Sequence, residues 1–144
     1  MTILKSEVIL LKYGKYPLLF CLGGLSYVGL ECLWRGWSHF SMFLAGGTCF
    51  LLLGRLCRSA SRLPLLIQGI LGAGIITAVE LVTGLLVNSR FTVWDYRQMP
   101  LNFLGQICLP YSLLWIPISC GAIKLYQLCS NCLAALRKAH KQPS

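Results

Sequence analysis

PLLIQGILGAGIITAVELVTGLLV, residues Pro64–Val87, decides the fold. A membrane-spanning helix needs about 20 consecutive, mostly apolar residues, and this stretch supplies them. Its sole ionisable residue is Glu80. Gly69, Ala73, Thr77, Glu80 and Gly84 recur every three to four positions, so on a helix they form one narrow stripe of small and polar side chains. The reading is a transmembrane helix with a lipid-facing majority and one inward face carrying an acid.

Three further stretches are long and apolar enough to span: Pro17 to Trp34, Phe40 to Leu56, and Leu101 to Leu128. Pro17 and Pro64 suit a first helical turn, where a missing N–H costs nothing. Pro100 would open the fourth span in the same way, and Pro110 and Pro117 would kink it. The N-terminal residues from Met1 to Gly14 mix Lys with apolar residues and suit a short interfacial helix. No small-x-small cleavage site follows the first span, so a cleaved signal peptide is not expected. The expected fold is all-α: a single membrane domain over residues 1–144, a polytopic bundle of four transmembrane helices with a short N-terminal interfacial segment.

Composition agrees. Of the 144 residues, 56% are hydrophobic and 12% charged, and the mean hydropathy is +0.69. Soluble domains carry about twice that charged share. This excludes a disordered chain, an ordinary soluble enzyme and a nucleic-acid binder, despite the net charge of +9. The charge is placed asymmetrically. Lys5, Lys12, Lys15, Arg55, Arg58, Arg62, Lys124, Arg137, Lys138 and Lys141 fall on one side of the spans, against Arg35, Arg90 and Arg97 on the other. The positive-inside rule then places both termini in the cytoplasm of a cell-membrane protein, with the basic residues near anionic lipid headgroups.

Of the eight cysteines, Cys21, Cys32, Cys49, Cys108 and Cys120 fall within spans and read as small hydrophobes. Cys57, Cys129 and Cys132 lie toward the reducing side. Cys129 and Cys132 have a metal-like spacing but no second pair and no nearby His pair, so no metal is expected. No cofactor motif is present. Gly69 to Gly74, GILGAG, lies inside a span and is helix packing, and the sequence contains no GxxxxGK[ST] phosphate loop.

The informative residues are charges where lipid should be. At 1.5 Å of rise per residue, Glu80 and Glu31 lie about 7 and 8 Å outward of the centres of their spans. Such residues face the bundle or a wet cavity and have partners. Arg35 is one turn from Glu31, and Arg90 or Arg97 could reach Glu80. Gly24, Tyr27, Glu31 and Arg35 form a stripe in span one like that in span three, so spans one and three are expected to meet. Two readings stay open. The pairs lock the bundle, or they form a binding or proton-handling site.

The outer segment NSRFTVWDYRQMPLNFLGQ, Asn88 to Gln106, adds Trp94, Asp95, Tyr96, Arg97 and Asn102. Trp34, Trp37 and Trp94 also suit simple interfacial anchoring. Asp95 is placed to cap a helix or pair with an Arg. Asn102 and Gln106 would share a helix face at i,i+4, making a polar lid over the Glu31 and Glu80 level. The candidates for ligand binding or proton handling are Glu80 and Asp95 first, with Glu31, Arg35, Trp94, Tyr96, Arg97 and Asn102 around them. His39 reads as a headgroup contact.

The stretch TAVELVTGLLVNSRFTVWDYRQMPLNFLGQICLPYSLLW, Thr77 to Trp115, resembles the Putative ABC-transporter type IV family, also called CmpB-like permeases, mostly small bacterial membrane proteins. The resemblance rests on Glu80 in a TAxE-like context, on Trp94, Asp95 and Tyr96, on Asn102 followed by Gly105, and on Ile107, Cys108 and Leu109. Arg97 departs from the pattern, which has a small polar residue after the Tyr. The resemblance implies a transport role.

Three functions are compatible with these residues. The first is a transport-related, permease-like subunit, with a separate ATPase or membrane partner or a homo-oligomer completing it. The second is an intramembrane lipid-handling protein or enzyme, with Glu31, Glu80 and Asp95 as acid and base and Arg35 and Arg97 on phosphate. The third is an assembly or regulatory protein without chemistry. Membrane lipids are the expected surroundings in all three, and nucleic acid is not a partner.

Overall fold

A computed structural model of the chain describes residues 13–141. Four helices follow in order: α1 (Lys15–Arg35), α2 (Phe40–Ser59), α3 (Leu65–Val87) and α4 (Leu109–His140). Between α3 and α4 lies a two-stranded antiparallel hairpin of β1 (Asn102–Phe103) and β2 (Ile107–Cys108). All four helices are long and apolar enough to cross a membrane. The chain is an all-α membrane protein. Leu33, Leu66, Leu86 and Leu128 are among the many large apolar side chains pointing outward, as a lipid-facing surface requires. The interfacial helix expected at the N-terminus lies, except for Tyr13 and Gly14, outside the described residues.

Local chemistry ends each helix. Gly36, at φ 79°, closes α1 in the left-handed conformation and donates its N–H to the Cys32 carbonyl at 2.8 Å. His39 caps α2 by accepting from the Ser41 N–H at 3.2 Å and bonding the Ser41 hydroxyl at 2.7 Å. The exposed imidazole thus serves as a helix cap.

The bundle is two close pairs joined through α2. In the first pair, Gly23 and Gly24 of α1 back onto Phe50 and Phe43 of α2, and a Cβ at Gly24 would stand 2.6 Å from the Phe43 ring. In the second pair, Gly69 of α3 backs onto Ile116 and Cys120 of α4. Gly72 of α3 meets both Leu53 of α2 and Ser119 of α4. The core that results runs through Leu19, Phe50, Leu53, Ile76, Trp115, Ile123 and Tyr126. The expectation that spans one and three meet is overturned. Of the two stripes, Gly24 is covered by α2 and Gly69 by α4, whereas Gly84 backs onto Trp94 and Gln106 and the acids face a cavity, and α1 packs on α2 rather than on α3.

The fourth helix also differs. It starts at Leu109, not Leu101, because Gly105 at φ 65° turns the chain back on itself. Asn102 holds that turn. Its Oδ1 accepts the Gly105 N–H at 3.2 Å, and its Nδ2 donates to the carbonyls of Met99 at 2.9 Å and Arg97 at 3.2 Å. Pro100 therefore opens no helix, and Cys108 lies in β2 rather than in a span. Pro110 sits in the first turn of α4 and Pro117 inside the helix, so only Pro117 removes a ladder bond. At 32 residues, α4 is about 48 Å long, well beyond the hydrocarbon thickness of about 30 Å.

The segment from Asn88 to Cys108 is organised by a buried amide pair. Asn88, the residue after α3, is fully buried, and Gln106 nearly so. Asn88 Nδ2 donates to Gln106 Oε1 at 3.0 Å and to the Trp94 carbonyl at 2.7 Å. Its Oδ1 accepts the Val93 N–H at 2.8 Å. Gln106 Nε2 returns a bond to the Asn88 carbonyl at 3.0 Å. The helix face expected for Asn102 and Gln106 is therefore absent: Asn102 is exposed on the hairpin and Gln106 is inside.

Replacing Asn88 with Ala leaves the Val93 N–H, the Trp94 carbonyl and Gln106 Oε1 without this partner. At about 1–3 kcal/mol for each buried orphan, Asn88→Ala should cost about 3 kcal/mol or more. Asn102→Ala, where water can replace the side chain, should cost about 1 kcal/mol. Unfolding of both variants in mild detergent compares them. Equal losses would contradict the role given to the amide pair.

Candidate functional site

Because the two helix pairs do not close on each other at the end carrying the Asn88–Cys108 connection, a cavity of about 190 Å³ remains there. Its walls take Tyr27, Glu31, Trp34 and Arg35 from α1, Met42 and Cys49 from α2, and Ile76, Glu80 and Thr83 from α3. Trp94 and Tyr96 come from the connection, and Tyr111 and Trp115 from α4. Most of this lining is apolar or aromatic, with a few convergent polar groups, as in small-molecule sites generally.

Glu80 is the buried acid of the site, with 9% of its surface exposed. Its Oε1 accepts the Tyr96 hydroxyl at 3.0 Å and its Oε2 the Trp115 indole N–H at 3.1 Å. Burial and the adjacent Glu80 carboxylate push the Tyr96 phenol well above its ordinary value, so Tyr96 stays protonated and serves as a donor. Its ring stacks on Tyr111, centroids 4.9 Å apart and planes 12° from parallel. Trp115 in turn lies against Tyr27 at 5.8 Å. The carboxylate is thus oriented by two neutral donors, each fixed by an aromatic neighbour.

Glu31 is satisfied differently. It forms an ion pair with Arg35 one turn along α1. Arg35 also donates to the Val93 carbonyl and stacks over the Trp37 ring at 4.5 Å. This guanidinium ties α1 to the connection that Asn88 holds.

Of the residues singled out from the sequence, Glu31, Arg35, Glu80, Trp94 and Tyr96 come together around the cavity. Asp95, Arg97 and Asn102 do not. Asp95 and Arg97 pair with each other on the exposed surface, Nη2 to Oδ2 at 2.6 Å and Nε to Oδ1 at 2.9 Å. Arg90 is exposed. The basic partner expected for Glu80 is therefore not there, because two residues of separation let Asp95 capture Arg97 first. The Arg97 side chain, and its backbone N–H at 3.0 Å, hold the Asp95 carboxyl down to about 2. Tyr111 and Trp115 were not anticipated. Their signal is a stripe in the fourth span, Tyr111, Trp115 and Ser119 at i, i+4 and i+8, which hydropathy hides because the two aromatics count as apolar. All eight cysteines are free thiols. Among the described residues no three His, Cys, Asp or Glu side chains gather as a metal would need.

A family model described as Putative ABC-transporter type IV matches residues 18–142. The chain belongs to this family. No curated protein and no solved structure matches it. For this ABC-transporter type IV chain the matched range takes in the four helices, but for the first three residues of α1, and every residue of the cavity wall.

The two acids of the site should respond differently to amide substitution. In Glu80→Gln, the Oε1 atom can accept from Trp115 and the Nε2 atom can donate to the Tyr96 oxygen, so both contacts persist, the second with its direction reversed and the Tyr96 hydroxyl hydrogen left to find another acceptor, and stability should fall by about 1 kcal/mol. Glu31→Gln leaves the Arg35 cation without its counter-charge in a site only about a fifth exposed, and should cost about 2 kcal/mol. Thermal unfolding in detergent ranks the two, and the reverse order would refute this account of the site.

The surface pair gives a pH prediction. The Asp95 carboxyl is lowered from 3.8 to about 2, so its ion pair is complete above 3.8 and disappears as the pH falls through 2. The carboxyl carbon resonance of Asp95 should titrate with a midpoint near 2 and return toward 3.8 in Arg97→Ala. A wild-type midpoint near 4 would show that the pair does not persist in solution.

Proposed function

We propose that this chain is a transport-related, permease-like membrane subunit that receives its solute in the cavity between the two helix pairs. The observation that carries the reading is Glu80: a buried acid on a cavity wall, oriented by Tyr96 and Trp115, in a chain of a family described as an ABC-transporter type. Holding an acid at this depth in a span costs about 2.5–3.5 kcal/mol on an insertion scale, and Glu80 meets no cation there that would make it a structural ion pair. In this reading Glu80 is the central group, with Glu31, Arg35, Trp94 and Tyr96 around it. Asp95, Arg97 and Asn102 shape the connection that covers it.

ATP hydrolysis belongs to a separate chain, because the sequence holds no phosphate loop. The basic residues Arg55, Arg58, Arg62, Arg137 and Lys138 gather at the end of the bundle opposite the cavity. By the positive-inside rule that end and both termini face the cytoplasm of a cell membrane, and the cavity opens toward the other side. The protruding end of α4 then lies where a cytoplasmic ATPase would meet the subunit.

Purification of the tagged protein in mild detergent, with mass spectrometry of what accompanies it, tests the reading. A stoichiometric ATPase is expected, lost when the tail beyond Cys132 is removed. A chain that purifies without an ATPase under conditions that keep it folded would overturn the permease reading. A C-terminal green fluorescent fusion should be bright and a C-terminal alkaline phosphatase fusion inactive; the opposite pair of results would invert the orientation.

A further inference from the structure

The charges of the cavity do not cancel in place. Among the lining residues Arg35 is the only base. It is committed to Glu31, to the Val93 carbonyl and to the Trp37 ring. Among the described residues, the hydrogen bonds to the Glu80 carboxyl come from the neutral Tyr96 hydroxyl and Trp115 indole. A carboxylate offers about four acceptor positions, and these two bonds leave half of them open. The site therefore presents an oriented carboxyl group with spare acceptor capacity and no cation bonded to it, a group that a cationic ligand would hold in its ionised form.

The wall around that group is aromatic. Tyr27, Trp34, Trp94, Tyr96, Tyr111 and Trp115 all line the cavity. The face of an aromatic ring attracts a cation, by about 2 kcal/mol or more when the cation is desolvated. An anionic ligand would meet the Glu80 carboxylate, and a neutral apolar one would leave it uncompensated. The remaining wall, with Ile76, Val79 and Leu114, accepts an apolar body. Arg35 adds one detail. Its Nε is buried and has no acceptor, so a ligand bearing an oxygen near its cationic centre finds a donor there.

We propose that the cavity binds an organic monocation, an ammonium group attached to an apolar body, with the cationic centre against Glu80 and among the aromatic rings. This rests on the cavity being the solute site of the permease reading, and it names the ligand class. Two sources have this chemistry: a free hydrophobic amine, or a zwitterionic lipid whose ammonium headgroup enters from the bilayer and whose phosphate oxygen reaches Arg35.

Direct binding tests it, by tryptophan fluorescence on full-length protein in uncharged detergent. The probes are benzyltrimethylammonium, its carbon isostere neopentylbenzene, and benzenesulfonate. The cation should bind saturably, and at least about tenfold more tightly than either other probe, the size expected of a desolvated cation–π and carboxylate site. Glu80→Gln, which keeps the Trp115 hydrogen bond and can reverse the Tyr96 one, should fold and lose that preference. Trp34→Leu, at the exposed rim of the cavity where little packing is lost, should keep the fold, weaken the cation several-fold and leave neopentylbenzene unchanged. Equal binding of cation and isostere, an unaltered preference in Glu80→Gln, or no binding of any probe would overturn the proposal.

Dihexanoyl phosphatidylcholine separates the sources. Displacement of the cation by this lipid in wild type, weakened in Arg35→Lys, identifies a headgroup. Displacement by free amines alone identifies a soluble cation. The outcomes also separate the two proposals. An ATPase partner without cation preference removes the ligand class and keeps the permease. Cation preference without an ATPase removes the permease and keeps the ligand class.

Discussion

The loop end of this bundle depends on one exchange of hydrogen bonds, that between the buried amides of Asn88 and Gln106. A segment of irregular backbone at the edge of a membrane needs partners for its N–H and carbonyl groups, because lipid supplies none. Asn88 stands where α3 ends and acts in three directions. Its side chain takes the Val93 N–H and gives to the Trp94 carbonyl and to Gln106, while its carbonyl takes the Gln106 amide. Trp94 then closes the arrangement by donating its indole N–H to the Gln106 carbonyl at 2.9 Å. Val93 is held where Arg35 can reach it, and Tyr96 where it can reach Glu80. Neither contact of the cavity would exist with the connection left free.

The second determinant is how small residues are used. Without a hydrophobic force between helices in lipid, close approach comes from residues that let backbones touch. Here that approach is consumed within pairs, α1 on α2 and α3 on α4, and the two pairs are joined mainly through α2. At Gly54 the α2 backbone lies against the Tyr126 ring of α4, and Gly72 of α3 meets Leu53 of α2. Both contacts are at the end away from the connection. The same pattern that tightens one end therefore leaves the other apart, and the acids of α1 and α3 look across the gap instead of packing together.

Much of this was legible in the residues. The four spans, the inward face of α3 with its acid, and the Glu31–Arg35 pair follow from hydropathy and helical spacing, which are local properties. The partner of each helix was not legible, because a stripe of glycines says that something comes close and not which helix it is. The start of α4 was hidden for a similar reason. Leu101, Phe103 and Leu104 add to a hydropathy sum, whereas the chain there turns through left-handed Leu101, Leu104 and Gly105, held by one amide side chain. Asp95 looked like a site residue because it is an acid near other acids. Its fate was settled by Arg97 two positions away, a competition that composition does not reveal. Trp115 was missed because an indole counts as apolar, although its single N–H is what it contributes.

The length of α4 has a mechanical consequence. Trp115, which grips Glu80, and His140, at the far tip, belong to one unbroken helix, a rod reaching from the cavity wall past the opposite face of the bilayer. The ladder bond missing at Pro117, two residues from Trp115, is its weakest section in bending. A sideways push on the tip acts with a long arm about a pivot close to the cavity. A displacement of several ångströms outside the membrane is thereby reduced to a fraction of that at Trp115. A small shift is enough there, since the hydrogen bond from the indole to the carboxylate has a tolerance of only a few tenths of an ångström. By its geometry alone such a helix would act as a reducing lever, turning a coarse motion at one surface into a fine adjustment of a single acid near the other.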